Sequence, residues 1–230
     1  MRFDDYLIRA SGIGNLMGKP RGDAYLTKTA QSYLRQLWIE SVYGRVYDPY
    51  SKYLEKGTLQ EETSITLLQE VRKSKRLYDK NEEQFENKFI VGTPDIITED
   101  SIIDIKTKWD IWTFAAEEPV EATGRNSNYY WQVQAYMWLT GKKKAEVVFT
   151  LVDTPEHLVY SEFQKTVYNM DATTEELNEI EDAIRLSHTY DDIDKVDRIK
   201  AYSVTSSDEA IWKIKDRVAA ARMFLNQLSL

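Results

Sequence analysis

GTPDIITEDSIIDIKTK, residues 92–108, is the stretch that decides the fold, because it holds two runs of β-branched residues around an acidic pair. Such runs flanking a short polar segment are typical of two strands joined by a turn, here centred on residues 99–100. This hairpin places Asp95 directly opposite Asp104. Its other pairs are Thr98 with Ser101, Ile97 with Ile102, and Ile96 with Ile103. Two carboxylates that face each other across a ladder repel and destabilise the sheet, unless a cation lies between them.

The second strand of the hairpin adds a lysine to this pair of acids. Side chains alternate between the two faces of a strand, so Asp104 and Lys106 share one face with Ile102. Asp95, Asp104 and Lys106 are therefore expected on one side of the sheet. Such a cluster suits metal-assisted attack on a phosphodiester, since carboxylates bind Mg²⁺ and a lysine stabilises negative charge or orients the attacking water. The alternative is an exposed hairpin whose polar face carries two acids and a lysine without a catalytic role.

A third candidate acid precedes the hairpin in residues 51–73, which we predict to form one helix with Ser51 as its cap. Residues three or four positions apart lie along one side of a helix, so Glu61 shares the apolar face with Ile65 and Leu68. A carboxylate on a buried face needs a compensating partner or a metal ion. Glu61 is therefore either a metal ligand or one half of a buried ion pair with an arginine.

A helix predicted at residues 127–140, SNYYWQVQAYMWLT, contributes an amide. Asn126 or Ser127 is the expected cap, and Gly141 the expected end. The aromatic density of this segment is typical of a core helix. Gln132 is an amide among large apolar groups and needs a hydrogen-bond partner. Beside a metal site, such an amide is suited to position the attacking water or a phosphate oxygen.

The rest of the chain alternates between helical and strand patterns. Further helices are predicted at residues 24–43, 172–187 and 207–228, and further strands at residues 88–98, 145–152, 158–167 and 197–204. This order predicts a mixed α/β fold (α+β mixed), with a small central mixed β-sheet flanked by helices. No internal repeat and no break in composition divides the chain, so residues 1–230 are expected to form a single domain.

The composition excludes several kinds of site. The 230 residues include no Cys and two His, which rules out disulfides, thiolate zinc sites, iron–sulfur clusters and a histidine-rich metal centre. With 42% hydrophobic residues the chain can form a packed core. The first residues lack the cationic and then apolar run of a secretion signal, and no stretch reaches membrane-spanning length. We therefore expect a soluble, cytoplasmic protein that does not bind membranes.

The net charge of −8 argues against a protein that coats nucleic acid through bulk charge alone. It is compatible with DNA binding through a local basic groove, and with surplus carboxylates that hold metal ions. Basic residues gather at three places: Lys19 with Arg21, Lys73 with Lys75 and Arg76, and Lys142–Lys144. Each cluster is either a solvated surface or a track for DNA phosphates.

In this order, the motifs resemble those of the lambda-exonuclease-like phage recombination nucleases within the PD-(D/E)xK superfamily. The D-x-K pattern alone is degenerate, whereas five pieces in the family's order are a specific combination. The resemblance spans residues 9–141. Its pieces are RASGIGNLMGKPRG with Ser11, KGTLQEE with Glu61, GTPDII with Asp95, IIDIK with Asp104 and Lys106, and YYWQVQAYMWLTG with Gln132.

The resemblance implies a restriction-endonuclease-like core and a role for each residue of the site. Asp95 and Asp104 would bind the metal, and the backbone carbonyl of Ile105 would be a further ligand. Glu61 would be the helix-borne carboxylate that completes the metal environment. The catalytic lysine would be Lys106, and the motif glutamine at the active site would be Gln132.

An activity and partners follow from the same resemblance. Family members are Mg²⁺-dependent exonucleases that digest linear double-stranded DNA from the 5′ end, and we expect Mn²⁺ to substitute for Mg²⁺. They form ring-shaped trimers, which implies a homo-oligomer here, and a single-strand annealing protein is the expected partner in phage recombination or DNA processing in the host cytoplasm. Two alternatives stay open: an endonuclease on the same fold, directed by DNA structure or sequence, and a catalytically silent DNA-binding module.

At the N-terminus the sequence departs from the family's pattern. Ser11 matches a serine that in such enzymes lies near the phosphate of the DNA end. The arginine that these enzymes place several residues before the serine is missing from the stretch DDYLI, so Arg9 and Arg2 are the nearest substitutes. Ser11, Arg9, Lys19 and Arg21 are therefore the candidate DNA-phosphate contacts, and the polarity of digestion stays open.

Overall fold

The computed structural model describes residues 2–22, 24–47, 50–73 and 77–229. The strands within them are β1 (Ile8–Arg9), β2 (Phe85–Glu86), β3 (Ile90–Gly92), β4 (Ile96–Ile97), β5 (Ser101–Thr107), β6 (Lys144–Thr150) and β7 (Ile199–Thr205). The α-helices are α1 (Lys28–Tyr43), α2 (Lys52–Leu59), α3 (Glu61–Arg72), α4 (Ile111–Ala115), α5 (Ser127–Thr140), α6 (Glu156–Val167), α7 (Thr174–His188) and α8 (Asp208–Gln227). Two short 3₁₀ helices lie at Ala10–Leu16 and Lys195–Arg198.

The central sheet has the strand order β4-β5-β6-β7 and confirms the predicted mixed α/β class. Strands β5 and β6 run parallel, with α5 in the connection between them, whereas β4 and β7 pair antiparallel to their neighbours. The hairpin register is the predicted one, because Ile96 pairs with Ile103 and Ile97 pairs with Ile102. The alternation of residues 92–108 in the sequence therefore predicted the pairing of β4 with β5 correctly.

The predicted strand at residues 88–98 is wrong as one element. Its first part, β3, joins a separate three-stranded sheet of order β1-β3-β2, and its second part, β4, joins the central sheet. Pro94 lies in the gap between them, where a residue without an N–H can give no ladder hydrogen bond. The break leaves Asp95 immediately before β4, at the junction of the two sheets.

Apolar layers cover both faces of β5. Ile102 belongs to the main core with α5 and α8, while Ile103 and Ile105 pack against Ile65 and Leu68 of α3 on the other face. Burial of each such side chain contributes about 1.5–3 kcal/mol. The strand that carries Asp104 and Lys106 is thus held rigidly between two layers.

The predicted single helix at residues 51–73 is also wrong, since the chain forms α2 and α3 with a break at Gln60. Ser51 occupies the predicted cap position, but its side chain makes no capping hydrogen bond. The two helices pack against different surfaces. The buried Lys56 of α2 donates to the carbonyl of Trp109 beyond β5, whereas α3 lays Ile65 against the sheet.

The predicted strand at residues 158–167 is wrong, because this segment is the helix α6. Its aromatic and β-branched residues suggested a strand, but Leu158 and Val159 are buried together on one side of the helix that follows Pro155. The remaining predicted elements are confirmed to within a few residues, including α5, which ends at Gly141 with a φ of 74°. Asn126 precedes α5 without capping it, since its side-chain amide donates to the carbonyl of Glu118 instead.

None of the helices formed by the described residues has both the length and the apolar character that crossing a membrane requires.

Gly92 and Gly57 provide a matched test of this packing. A Cβ on Gly92 would lie 2.7 Å from Cε1 of Tyr136 and 2.8 Å from Cβ of Ala10, whereas a Cβ on Gly57 would meet nothing within 4 Å. We expect Gly92→Ala to lower the free energy of unfolding by about 1–3 kcal/mol through overpacking. Gly57→Ala, within α2, should raise it by about 0.5–1 kcal/mol. Chemical denaturation measures both, and equal stability of the two variants would contradict the close packing at Gly92.

Candidate active site

The predicted catalytic residues meet beside the N-terminal end of β4, where a cavity of about 460 Å³ opens. Its walls include Glu61, Asp95, Ile105 and Lys106. Three parts of the chain deliver these residues: the first turn of α3, the segment before β4, and the strand β5. Asp104 lies directly behind the wall and is fully buried.

Asp95 and Asp104 each lie one residue beyond the paired Ile96 and Ile103, close enough for each to affect the pKa of the other. Oδ2 of Asp95 also accepts a hydrogen bond of 2.7 Å from the backbone N–H of Ile105. Burial and then the neighbouring charge of Asp104 raise the pKa of Asp95 to about 7. Burial likewise raises the pKa of Asp104 above its ordinary value. Two carboxyl groups in this arrangement resist holding two negative charges without a cation.

Lys106 provides positive charge at this pair. Its Nζ lies 2.8 Å from Oδ2 of Asp104 and 5.3 Å from the ring centroid of Tyr129. Burial acts to lower the pKa of Lys106, but the charges of Asp104 and Asp95 raise it above its ordinary value. The side chain is therefore an ammonium at neutral pH, which makes it a donor and an electrostatic stabiliser.

Gln132 has the hydrogen-bond partners that its apolar setting requires. Its Nε2 donates to Oδ1 of Asp104 at 3.3 Å and to the hydroxyl of Tyr136 at 3.0 Å. Burial raises the pKa of Tyr136, so this phenol stays protonated. In this structure the amide contacts Asp104 behind the cavity wall, and it orients that carboxylate.

Glu61 lies in the same cavity but has its own partner. Nζ of Lys80 is 3.2 Å from its Oε1, and the Glu61 side chain is about one quarter exposed. Glu61 therefore forms an ion pair, but the partner is a lysine and the pair is partly exposed, whereas the ion-pair alternative was a buried pair with an arginine. Among the residues that the structure describes, no three acidic or histidine side chains stand close enough to surround one ion. Asp95 and Asp104 form one carboxylate pair, and Glu61 faces it as a separate charge.

The donor set fits a divalent cation such as Mg²⁺, which prefers oxygen ligands. Oδ2 of Asp104 is buried and makes no hydrogen bond of good geometry, although the Lys106 ammonium lies near it. The N–H and C=O of one residue in an extended strand point to the same edge. The N–H of Ile105 points to Asp95. The carbonyl of Ile105 therefore faces the same edge of β5, at a level just before the first residue of β4.

The candidate DNA-phosphate contacts divide into two groups. Ser11 and Arg9 are exposed and line a second cavity of about 320 Å³, together with Gly92 and Tyr136. Tyr136 thus links this cavity to Gln132, because its hydroxyl accepts the hydrogen bond from the Gln132 amide. Lys19 and Arg21 are exposed in the segment that leads to α1 and line neither cavity. Lys75 and Arg76 lie outside the described residues.

Several residues that shape the site escaped the sequence analysis. The backbone N–H of Asn81 donates to the carbonyl of Asp95 at 2.7 Å, and its side-chain amide donates to the carbonyl of Pro94 at 2.9 Å. These bonds hold the segment that carries Asp95, and the neighbouring Lys80 pairs with Glu61. No spacing rule connects residues 80 and 81 to the acids, so the sequence carried no signal for these contacts.

A chain of buried hydroxyl groups fixes α3 against the strands. Oγ of Ser64 lies 2.8 Å from Oγ1 of Thr107, and Thr150 donates to Ser64 at 2.9 Å. Ser64 follows Glu61 by one helical turn, and Thr107 follows Lys106 directly. These hydrogen-bonded hydroxyl groups therefore set the distance between Glu61 on α3 and Lys106 on β5.

Comparisons with known proteins give structural matches only. No protein-family model and no curated protein matches the sequence. The chain is similar to the crystal structure of a phage-related exonuclease from Haemophilus somnus 129PT, with 30% identity and a TM-score of 0.77 over 97% of this chain and 95% of that one.

Two crystal structures of an alkaline exonuclease from Laribacter hongkongensis also match, the second of them in complex with dAMP. Each has 15% identity and a TM-score of 0.58, over 96% and 95% of this chain and 89% and 87% of theirs. At that identity the likeness shows a shared fold.

We expect Asp104→Asn to raise the melting temperature of the metal-free protein at pH 8. The raised pKa values mean that the folded state binds more protons than the unfolded state between about pH 4 and 7, so stability falls as the pH rises through this window. Asp104→Asn removes one of the two charges and so restores part of the free energy of unfolding that is lost at high pH. Each kcal/mol restored raises the melting temperature by about 2–4 °C. Mg²⁺ should raise the melting temperature of the parent protein and leave that of the variant nearly unchanged.

Asp100→Asn, in the exposed hairpin turn, is the matched control. It should change neither the melting temperature of the metal-free protein nor the increase that Mg²⁺ causes. Thermal unfolding in EDTA and in Mg²⁺ measures these effects. A parent protein whose stability is flat from pH 5 to 8 in EDTA would show that the two carboxyl groups do not oppose each other.

Proposed function

The chain belongs to the lambda-exonuclease-like family of phage-related exonucleases, and from this premise we propose that it is a Mg²⁺-dependent exonuclease acting on linear double-stranded DNA. One observation carries the proposal: the buried Asp104 and the partly buried Asp95 lie beside the Lys106 ammonium at an open cavity. This arrangement combines oxygen ligands for a cation with a fixed positive charge for a phosphate.

The side chains divide the chemistry among them. Asp95, Asp104 and the carbonyl of Ile105 would hold the metal, with Glu61 reaching it from across the cavity. When bound, Mg²⁺ supplies Lewis-acid polarisation of the phosphate and a bound water of lowered pKa. Lys106, which keeps its proton, donates to a phosphate oxygen and stabilises the charge that develops there as water attacks phosphorus.

Support for action at a DNA end comes from the second cavity. Ser11 offers a hydroxyl and Arg9 a guanidinium, and both groups recognise phosphate oxygens. Tyr136 lines this cavity and accepts a hydrogen bond from Gln132, which in turn donates to Asp104 behind the wall of the catalytic cavity. We therefore propose that the terminal phosphate binds at Ser11 and Arg9 and that digestion runs from 5′ to 3′.

The resemblance also supports a biological setting. We propose a role in recombination or processing of phage DNA in the host cytoplasm, with a single-strand annealing protein as partner and a homotrimer as the assembly. Mn²⁺ should replace Mg²⁺, since both accept the carboxylate and carbonyl oxygens available here.

Digestion of linear against closed circular duplex tests the proposal most directly. The parent protein should release nucleotides from end-labelled linear DNA in Mg²⁺ and leave covalently closed circles intact. Lys106→Ala should reduce the rate by about 10²–10³-fold, because it removes a preorganised donor. Cleavage of closed circles would favour the endonuclease, and binding without cleavage of either substrate would favour the silent DNA-binding module.

Glu61 and its neighbour Glu62 give a test of the third acid. Glu61 lines the catalytic cavity, whereas Glu62 is exposed on α3. Glu61→Gln should raise the Mg²⁺ concentration needed for half-maximal activity and reduce turnover by about 10–100-fold. Glu62→Gln should leave both near the parent values. Equal effects of the two substitutions in a Mg²⁺ titration would remove Glu61 from the metal environment.

Ser11 allows a test of end recognition. A 5′-phosphorylated end should be degraded about 10-fold faster than a hydroxyl end, as expected for hydrogen bonds to a charged group. Ser11→Ala should reduce this ratio and leave the rate on hydroxyl ends unchanged. The assay compares initial rates on the two ends in one buffer. If the two ends are equivalent in the parent and in the variant, the N-terminal segment has a structural role alone.

A further inference from the structure

Tyr53 is an exposed aromatic residue on the wall of the catalytic cavity, and none of the roles described above uses it. It lies in α2, and 56% of its surface is exposed. It lines the same cavity as Asp95 and Lys106. Several tyrosines of this protein are as exposed as Tyr53, so its position on the wall of the candidate active site, and not its exposure alone, suggests a contact with the substrate.

The ring of Tyr53 rests on a rigid support. The Trp109 ring is 7% exposed, and its centroid lies 5.5 Å from that of Tyr53, with an angle of 76° between the planes. His188 packs against Trp109 at 4.9 Å, and the buried Lys56 donates to its carbonyl at 2.9 Å. Trp109 therefore supports Tyr53 by edge-to-face packing, while more than half of the Tyr53 surface stays exposed.

Lys52 is the cation found near the Tyr53 ring. Its Nζ lies 5.4 Å from the ring centroid and forms an ion pair with Glu162. One ammonium can cover one face of a ring at most, and Tyr53 keeps 56% of its surface exposed beside Lys52 and Trp109. An open aromatic face is suited to stacking against a flat π-system.

The charges of the cavity select which part of DNA approaches that face. The cavity is lined by Glu61 and Asp95 and by the ammonium groups of Lys106 and Lys108. The charged scissile phosphate belongs beside Lys106, so the neutral base of that nucleotide is the part of the DNA left to approach Tyr53. A cavity of about 460 Å³ lies within the range of about 300–1,000 Å³ typical of sites for molecules of nucleotide size.

We propose that Tyr53 stacks against the nucleobase that adjoins the scissile phosphate, a role that rests on the proposed nuclease function. Such stacking holds DNA of any sequence, because every base has a π-face. It also supplies affinity that does not depend on basic residues, which suits a protein with a net charge of −8.

A binding experiment tests the contact without turnover. Linear duplexes carry the fluorescent base 2-aminopurine at the terminal or the penultimate position and are titrated with the full-length protein in EDTA. The parent protein and Tyr53→Phe should quench the fluorescence at one of the two positions, and Tyr53→Ala should lose this quenching. Tyr160→Ala is the matched control, since Tyr160 is 54% exposed on α6 outside the cavity. Quenching that is identical for the parent protein and Tyr53→Ala overturns the proposal.

A double-mutant cycle in Mg²⁺ then tests the contact during cleavage. Tyr53→Ala should raise KM about 10-fold on a duplex with an intact end. The same substitution should have little effect when the stacked nucleotide is abasic. Equal effects on intact and abasic ends would assign Tyr53 a structural role and contradict stacking. If Tyr53→Ala fails to fold, Tyr53→Leu keeps packing area against Trp109 while removing the aromatic face.

The two experiments separate this proposal from the proposed function. A parent protein that quenches 2-aminopurine through Tyr53 yet never degrades linear DNA would contradict the nuclease assignment alone. A parent protein that degrades linear DNA with no coupling between Tyr53 and the base would contradict the stacking alone.

Discussion

The repulsion between two neighbouring carboxyl groups, the partly buried Asp95 and the fully buried Asp104, is the constraint on which the rest of the site depends. A hairpin register sets the two side by side, and burial raises the pKa of both above the ordinary value. The protein offsets part of this cost with the N–H of Ile105, the amide of Gln132 and the ammonium of Lys106. The N–H and the amide donate hydrogen bonds to the pair and the ammonium forms an ion pair with Asp104; this arrangement favours a cation beside the N-terminal end of β4.

The architecture around the pair keeps it from relaxing. Strand β5 lies between two apolar layers, so Asp104 cannot move away from its neighbour without opening the core. Asn81 binds the backbone on the Asp95 side, and the hydroxyl groups of Ser64 and Thr107 set the position of α3. Local destabilisation at a functional site is thus maintained by stable packing on both sides of the sheet.

Local patterns predicted the parts of the site that lie within one element. The alternation of residues 92–108 gave the correct register, and the isolated amide of Gln132 correctly signalled a need for a partner. Such local patterns could not predict the contacts that tertiary packing sets. The break at Gln60, the helical state of α6, the ion pair of Lys80 with Glu61 and the support of Tyr53 by Trp109 all depend on surfaces far apart in the chain.

Titration of the aspartate carboxyl groups by carbon-detected NMR tests the central claim most directly. Without metal, Asp95 should titrate near pH 7, the value that burial and the charge of Asp104 impose. In Mg²⁺ its pKa should fall below that of an unperturbed aspartate, about 3.9, because a bound cation stabilises the ionised form. An Asp95 that titrates near pH 4 both with and without Mg²⁺ would contradict the account, because the pair would then neither repel nor bind a cation.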